Sequence, residues 1–305
     1  MTPFDAFAEL EPVAGRLLER HLATTKEWFP HELVPYSRGR DFMPGEQWSE
    51  DDSFMPLDDA VRSALFVNLL TEDNLPYYFR DIDGLFGREG SWGDWARRWT
   101  AEEGRHSIVI RDYLTVSRAI DPVDLERGRM VQVSKGEVPA PTSPFNGVVY
   151  LTLQELATRI SHRNTGKILE DPVGYEVMAR VAADENFHHL FYRDLASAAI
   201  ELDVSAMVIA IDHEVRTFAM PGTGIPDFEK HAQRIARAGI YDLSVHHEQI
   251  LVPIVMRQWR IADLTGLSAE AEEARDRLIS YLERTAKVSA RVAARRERVA
   301  ATSSS

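Results

Sequence analysis

Trp99-Thr-Ala-Glu-Glu-Gly-Arg-His106 and Ala183-Asp-Glu-Asn-Phe-His188 are the two stretches that decide the fold of this 305-residue chain. Each carries Glu-x-x-His, and three-residue spacing sets both side chains on one face of a helix. One such pair by itself is uninformative, since 26 Glu and 10 His give about one by chance in a chain of this length. The placement of the glutamates is what informs. Glu103 lies on the stripe Trp95, Trp99, Ile110 and Leu114, and Glu185 follows Met178 and Val181 with Tyr192 beyond. Two further helical runs carry a lone Glu in the same way: Glu72 among Leu65, Leu69, Leu75 and Phe79, and Glu155 after Val148 and Leu151. A carboxylate on a core-facing stripe is costly unless it is paired or bound to a metal. Four of them aimed inward would repel one another without positive charge between them.

The spacing adds a second argument. Glu103 lies 31 residues after Glu72, and Glu185 lies 30 after Glu155, so the pattern reads as one metal half-site used twice. A Glu from each of two helices plus Glu-x-x-His from each of two others is the ligand pattern of a di-metal carboxylate bundle. Six oxygen and nitrogen donors without sulfur suit iron or manganese better than copper or structural zinc. The expected ligands are Glu72, Glu103, His106, Glu155, Glu185 and His188. Glu102, Asp184 and His189 adjoin them, and a one-residue shift turns a side chain by about 100° around the helix.

The rest of the chain reads as all-α. Helical patterns run from Pro3 to His21, then over about 57–86, 92–120, 148–168 and 172–202, with further helices at about 205–219, 228–238, 245–264 and 268–301. Strand signals are nearly absent. The Pro-, Gly- and aromatic-rich segment Trp28 to Phe54 reads as an arm laid over the bundle, and polar Asp121 to Asn146 as a crossover connection. No low-complexity linker divides the chain, so residues 1–305 are expected to form one domain around a core bundle at about 57–202. The C-terminal helix at about 268–301 reads as a solvated or dimer-flanking element.

Composition excludes several classes. Without cysteine there is no disulfide, thiolate metal site or thiol nucleophile. A formal net charge of −13 argues against nucleic acid or an anionic membrane as partner. No run is long and apolar enough to span a membrane, and the start lacks a basic stretch followed by an apolar one, so a cytoplasmic location is expected.

At Thr71-Glu-Asp-Asn-Leu-Pro, Trp99 to His106, Leu153-Gln-Glu-Leu-Ala-Thr-Arg-Ile-Ser-His162 and Ala183 to His188, the chain resembles the soluble acyl-[acyl-carrier-protein] desaturases, above all their actinobacterial, mycobacterial-type branch. The resemblance runs from about Glu9 to Leu264. It implies a ferritin-like di-iron bundle elaborated with extra helices, two iron ions per chain and O2 as co-substrate. It further implies an acyl carrier protein as bearer of the long acyl chain, a ferredoxin-like electron donor and a homodimer. It makes Glu103 and Glu185 bridging carboxylates, Glu72 and Glu155 terminal ones, and His106 and His188 the nitrogen ligands. Thr158 falls on the oxygen-binding side, Asp184 orients His106, and Phe145, Gly147 and Val148 fall along the acyl channel. One departure concerns the plant members' Trp shortly before an Asp-Phe-Leu-Pro stretch, part of a proposed electron path. Asp41-Phe-Met-Pro is present here, but the preceding aromatic is Tyr36. The same ligands would also serve another di-iron oxidase, such as a hydroxylase or N-oxygenase, or a ferroxidase bundle, although the latter is normally a much shorter chain.

Overall fold

The bundle is built from helices whose starts are written into the sequence. In this computed structural model, which describes residues 3–138, 140–220, 222 and 224–303 with side chains for residues 5 and 7–295 among them, α1 spans Pro3–Ala8, α2 Glu11–Thr24 and α3 Pro30–Leu33. Helix α4 (Asp59–Glu72) begins where the Asp58 carboxylate accepts the Ala60 N–H at 2.7 Å. After α5 (Leu75–Phe86) and α6 (Gly90–Ser117), three successive helices open on an Asp-Pro or Ser-Pro pair: α7 at Pro122–Lys135, α8 at Pro144–Ile168 and α9 at Pro172–Leu202. In each, the Asp or Ser side chain caps the first turn, and the proline occupies a position whose N–H would have no helical partner. Helices α10 (Val204–Thr217), α11 (Phe228–Arg237), α12 (Leu243–His246) and α13 (Ala269–Ser303) complete the order, and there is no strand among the described residues.

Helices α4, α6, α8 and α9 form the four-membered core, with α8 and α9 in the longest contact and α4–α6, α4–α8 and α6–α9 closing the ring. Helix α2 lies across α6 and α9, and α5 lies against α6 and α8.

Four expectations change. The run over 57–86 is two helices, because Pro76 has no N–H to give to the Glu72 carbonyl and starts a new helix instead. The connection 121–146 is largely α7, capped at Asp121 and stopped at Gly136, which takes φ +64°. The helix expected at 245–264 becomes a π-helix over His247–Gln258 and ends in a short 3₁₀ turn at Ile261–Asp263; Pro253 within it removes one ordinary helical hydrogen bond. Helix α13 is not fully solvated. It buries Ala271, Ala274, Leu278 and Leu282 against α10 and α12, and Arg277 bonds the buried Asp212 at 3.1 Å.

The arm does lie over the bundle. Trp48 donates to the Arg118 carbonyl at 2.9 Å and Ser53 to the Ser117 carbonyl at 3.0 Å, both at the end of α6. Arg118, almost fully buried, takes φ +56°, pairs with Glu46 and sits 3.9 Å over the Phe42 ring.

Candidate metal centre

Two overlapping donor sets meet at the middle of the four core helices. Glu72, Glu103, His106 and Glu185 form one, and Glu103, Glu155, Glu185 and His188 the other; within each, one ligand atom per residue lies within 4.8 Å of the rest. Glu103 and Glu185 belong to both sets. All six residues are buried, none more than 7% exposed. His106 Nδ1 lies 3.3 Å from Glu103, 3.6 Å from Glu185 and 3.8 Å from Glu72, while His188 Nδ1 lies 2.8 Å from Glu103 and 3.6 Å from Glu155.

Each imidazole is held from behind. His106 Nε2 meets Asp184 Oδ2 at 3.4 Å, and His188 Nε2 donates to Glu102 Oε2 at 2.9 Å. The residue before each Glu-x-x-His glutamate therefore holds the histidine of the opposite motif, a crossed arrangement that follows from the duplication. A proton on Nε2 leaves the Nδ1 lone pair facing the carboxylates, the tautomer that a metal ligand needs. Both Nδ1 atoms, Glu103 Oε1 and Glu155 Oε2 are buried and take part in no hydrogen bond among the described residues. Four inward carboxylates also balance the charge of two divalent cations. Orphaned donors, donor chemistry and charge all fit a pair of metal ions.

Without cations the electrostatics are uneven. Burial, reinforced by Glu185, pushes Glu155 well above the usual carboxylate range and raises Glu103. Burial also opposes ionisation of Glu72 and Glu185, but histidine partners hold both low: His106 and His162 for Glu72, and His162 for Glu185. Burial disfavours the charged imidazoles, yet the surrounding carboxylates raise His106 and His188 well above the ordinary value.

Thr158 donates to Glu185 Oε2 at 2.9 Å and Trp99 to Glu155 Oε1 at 3.0 Å. Asp184 also accepts from Trp28 Nε1 at 2.8 Å and Arg105 at 3.0 Å. Trp28 lies 13 residues before Asp41, while Tyr36 bonds Asp112 on the surface at 2.5 Å. His189 is turned away to the Thr152 carbonyl at 2.9 Å, and burial pushes it down to about 4.

Sequence reading assigned no role to His162. Its Nε2 lies 3.3 Å from Glu72 and 3.6 Å from Glu185, and its Nδ1 is 3.2 Å from the Asn68 amide. It stands one turn beyond Thr158 on α8, a spacing that could have flagged it. A cavity of about 100 Å³ reaches this corner; Glu72, Thr158 and His162 line its polar end, and Val67, Phe228 and Ile235 contribute apolar wall. Phe145, Gly147 and Val148 do not line it. They are buried at the start of α8, where a Cβ on Gly147 would stand 3.1 Å from Leu85 Cδ1 and 3.4 Å from the Phe86 ring.

Residues 3–305 match the model of a protein family described as fatty acid desaturase. The chain belongs to the fatty acid desaturase family. This makes it an oxidoreductase of fatty acid metabolism built on the ferritin-like helical fold. It is 42% identical over 288 residues to Mycobacterium tuberculosis DesA1, with 91% of this chain and 84% of that protein covered. It is 29% identical over 296 residues to the chloroplast stearoyl-[acyl-carrier-protein] 9-desaturase of Gossypium hirsutum, covering 90% and 74% of the two chains. The crystal structure of M. tuberculosis DesA2 superposes with a TM-score of 0.71 at 26% identity, over 88% of this chain and 99% of that one. The names of DesA1 and DesA2 assign them provisionally to the acyl-[acyl-carrier-protein] desaturases. No described helix is long and apolar enough to cross a membrane.

Proposed function

We propose that the protein is an O2-dependent di-iron desaturase that introduces a double bond into a long-chain fatty acyl group carried on acyl carrier protein. The observation that carries this reading is the pair of donor sets sharing Glu103 and Glu185, with four inward atoms in no hydrogen bond, beside a partly apolar cavity. Glu72, Glu103, His106 and Glu185 would hold one iron, and Glu155, His188 and the shared Glu103 and Glu185 the other. Two irons so held supply the redox chemistry of O2, which the side chains alone lack. The balance is one O2, two electrons and two protons consumed, two hydrogens removed from adjacent methylenes and two waters formed.

The chain's own contribution is position and dryness. Asp184 and Glu102 fix the two imidazole rings. Thr158 holds a hydroxyl beside Glu185 at the cavity wall, where O2 would be met. The cavity by Glu72 admits the acyl chain, and Phe145, Gly147 and Val148 are proposed to lie along the acyl channel beyond that cavity, where the bound chain would continue. With no cysteine and no nucleotide-binding loop in the sequence, the electrons are assigned to a separate ferredoxin-like donor. A homodimer working in the cytoplasm completes the proposal.

The test is mass spectrometry of acyl-carrier substrates after incubation with the iron-loaded protein, O2 and a reducing system. A product lighter by two hydrogens supports the reading. A product heavier by one oxygen would make it a hydroxylase, and iron oxidation with the substrate untouched would make it a ferroxidase.

A further inference from the structure

The back side of His188 is more elaborate than positioning one imidazole requires. Glu102 Oε2 accepts from His188 Nε2 at 2.9 Å and, at the same distance, from Nε2 of a second buried histidine, His21 on α2. The other oxygen of Glu102 is met by Arg98 at 2.5 Å. His21 is 4% exposed, stacks at 5.9 Å against the His188 ring and is crossed edge-on by Trp95 at 5.1 Å. Its Nδ1 is buried and in no hydrogen bond among the described residues. A leucine or phenylalanine would fill such an aromatic slot without an unsatisfied nitrogen, so packing does not account for the imidazole. Its one polar contact does.

The opposite half-site shows the same construction with other residues: Asp184, behind His106, accepts from Trp28 and Arg105. Both Trp28 and His21 come from the segment outside the four core helices, so each outer carboxylate is gripped by one arginine of α6 and one N–H donor of the N-terminal segment. Glu102 lies on a long side chain with a free χ3, and a carboxylate that must meet His188 at one angle needs a second fixed donor.

We propose that His21 is a positioning residue for the second metal half-site: by fixing Glu102 it locks the His188 ring, and metal affinity at the Glu155–His188 position depends on it. This rests on the di-metal reading above. The probe is Co²⁺, titrated anaerobically into metal-free full-length protein and followed by its visible absorption and by equilibrium dialysis. The wild type should take two equivalents. His21→Leu, which keeps the volume and loses the N–H, should weaken one equivalent by roughly 10- to 100-fold and leave the other unchanged. His21→Gln, which can return an N–H to the position of Nε2, should restore the affinity in large part. Should His21→Leu fail to fold by circular dichroism, Glu102→Gln carries the test, because it keeps the shape but weakens acceptance from two N–H donors; the same site-selective loss is expected. Two wild-type-like equivalents in His21→Leu, or in Glu102→Gln where that variant carries the test, would overturn the inference. So would an equal loss at both sites, or a Gln variant no better than Leu. A wild type that binds fewer than two equivalents would instead remove the di-metal reading itself.

Discussion

Glu185 contributes an oxygen to both donor sets and Glu72 to one, so their alanine variants should part company. Glu72→Ala should retain about one iron per chain, whereas Glu185→Ala should hold clearly less than one, because neither remaining half-set reaches four protein donors. Metal analysis of the purified variants decides this; one tightly held zinc indifferent to the Glu72 change would contradict the assignment. Gly147→Phe tests the proposed channel. With Leu85 only 3.1 Å from the new Cβ, the ring must displace α5 or fill the path, at a cost of about 1–3 kcal/mol in stability. The expected outcome is an unchanged iron spectrum and a preference moved to shorter chains, since one methylene is worth roughly 1–3 kcal/mol. An unaltered preference would place the channel elsewhere. At this scale the inward glutamates and their histidines were legible because ligand spacing is local and repeats. His21 and Trp28 were not, since each is defined by a partner at least 81 residues away in sequence, whereas His162 is marked only by its one-turn spacing from Thr158.

Helix α9 carries Glu185 and His188, and its start depends on one buried side chain. Asp171 accepts from the Val173 and Gly174 N–H groups and from the Tyr113 hydroxyl at 3.0 Å, which ties the first turn of α9 to α6. Asp171→Ala removes the cap, worth about 1 kcal/mol, and strands a buried phenol at roughly 1–3 kcal/mol more. Chemical denaturation should show a loss of about 2–4 kcal/mol, with iron content unchanged because the ligands lie more than three turns away. A loss under about 0.5 kcal/mol would mean that the turn is held by packing alone. The same Asp-Pro signal stood at Asp121-Pro122, yet a polar stretch read as a crossover hid α7. Polarity misled there because α7 buries little beyond Leu125, Gly128 and Gln132. The division between α4 and α5 was equally available in Pro76, but an uninterrupted apolar period on both sides of it masked the break. The many charges of helix α13 hide its packing: a face of small and aliphatic residues, Ala271, Ala274, Leu278 and Leu282, is buried.

For the whole molecule, the buried charges predict how stability follows pH with and without metal. In the metal-free protein, Glu155 and Glu103 have raised pKa values, so their contribution is full in acid and is lost as pH rises through those values. His162 is raised from 6.5 to about 9; its contribution is full below pH 6.5 and disappears as pH rises through about 9. Glu72 and Glu185 are lowered, so theirs is present above 4.5 and fails only in stronger acid. The metal-free chain should thus be most stable at mildly acidic pH and melt progressively lower toward pH 9, at roughly 2–4 °C per kcal/mol lost. Bound cations replace those protons and neutralise the carboxylates directly, and their affinity rises as protons cease to compete. The gap in midpoint temperature between iron-loaded and metal-free protein should therefore widen from pH 6.5 to 9. Calorimetry of both forms across that range, with iron occupancy verified, measures it. A gap that stays constant or narrows would mean that the four carboxylates do not face one another across the core in solution.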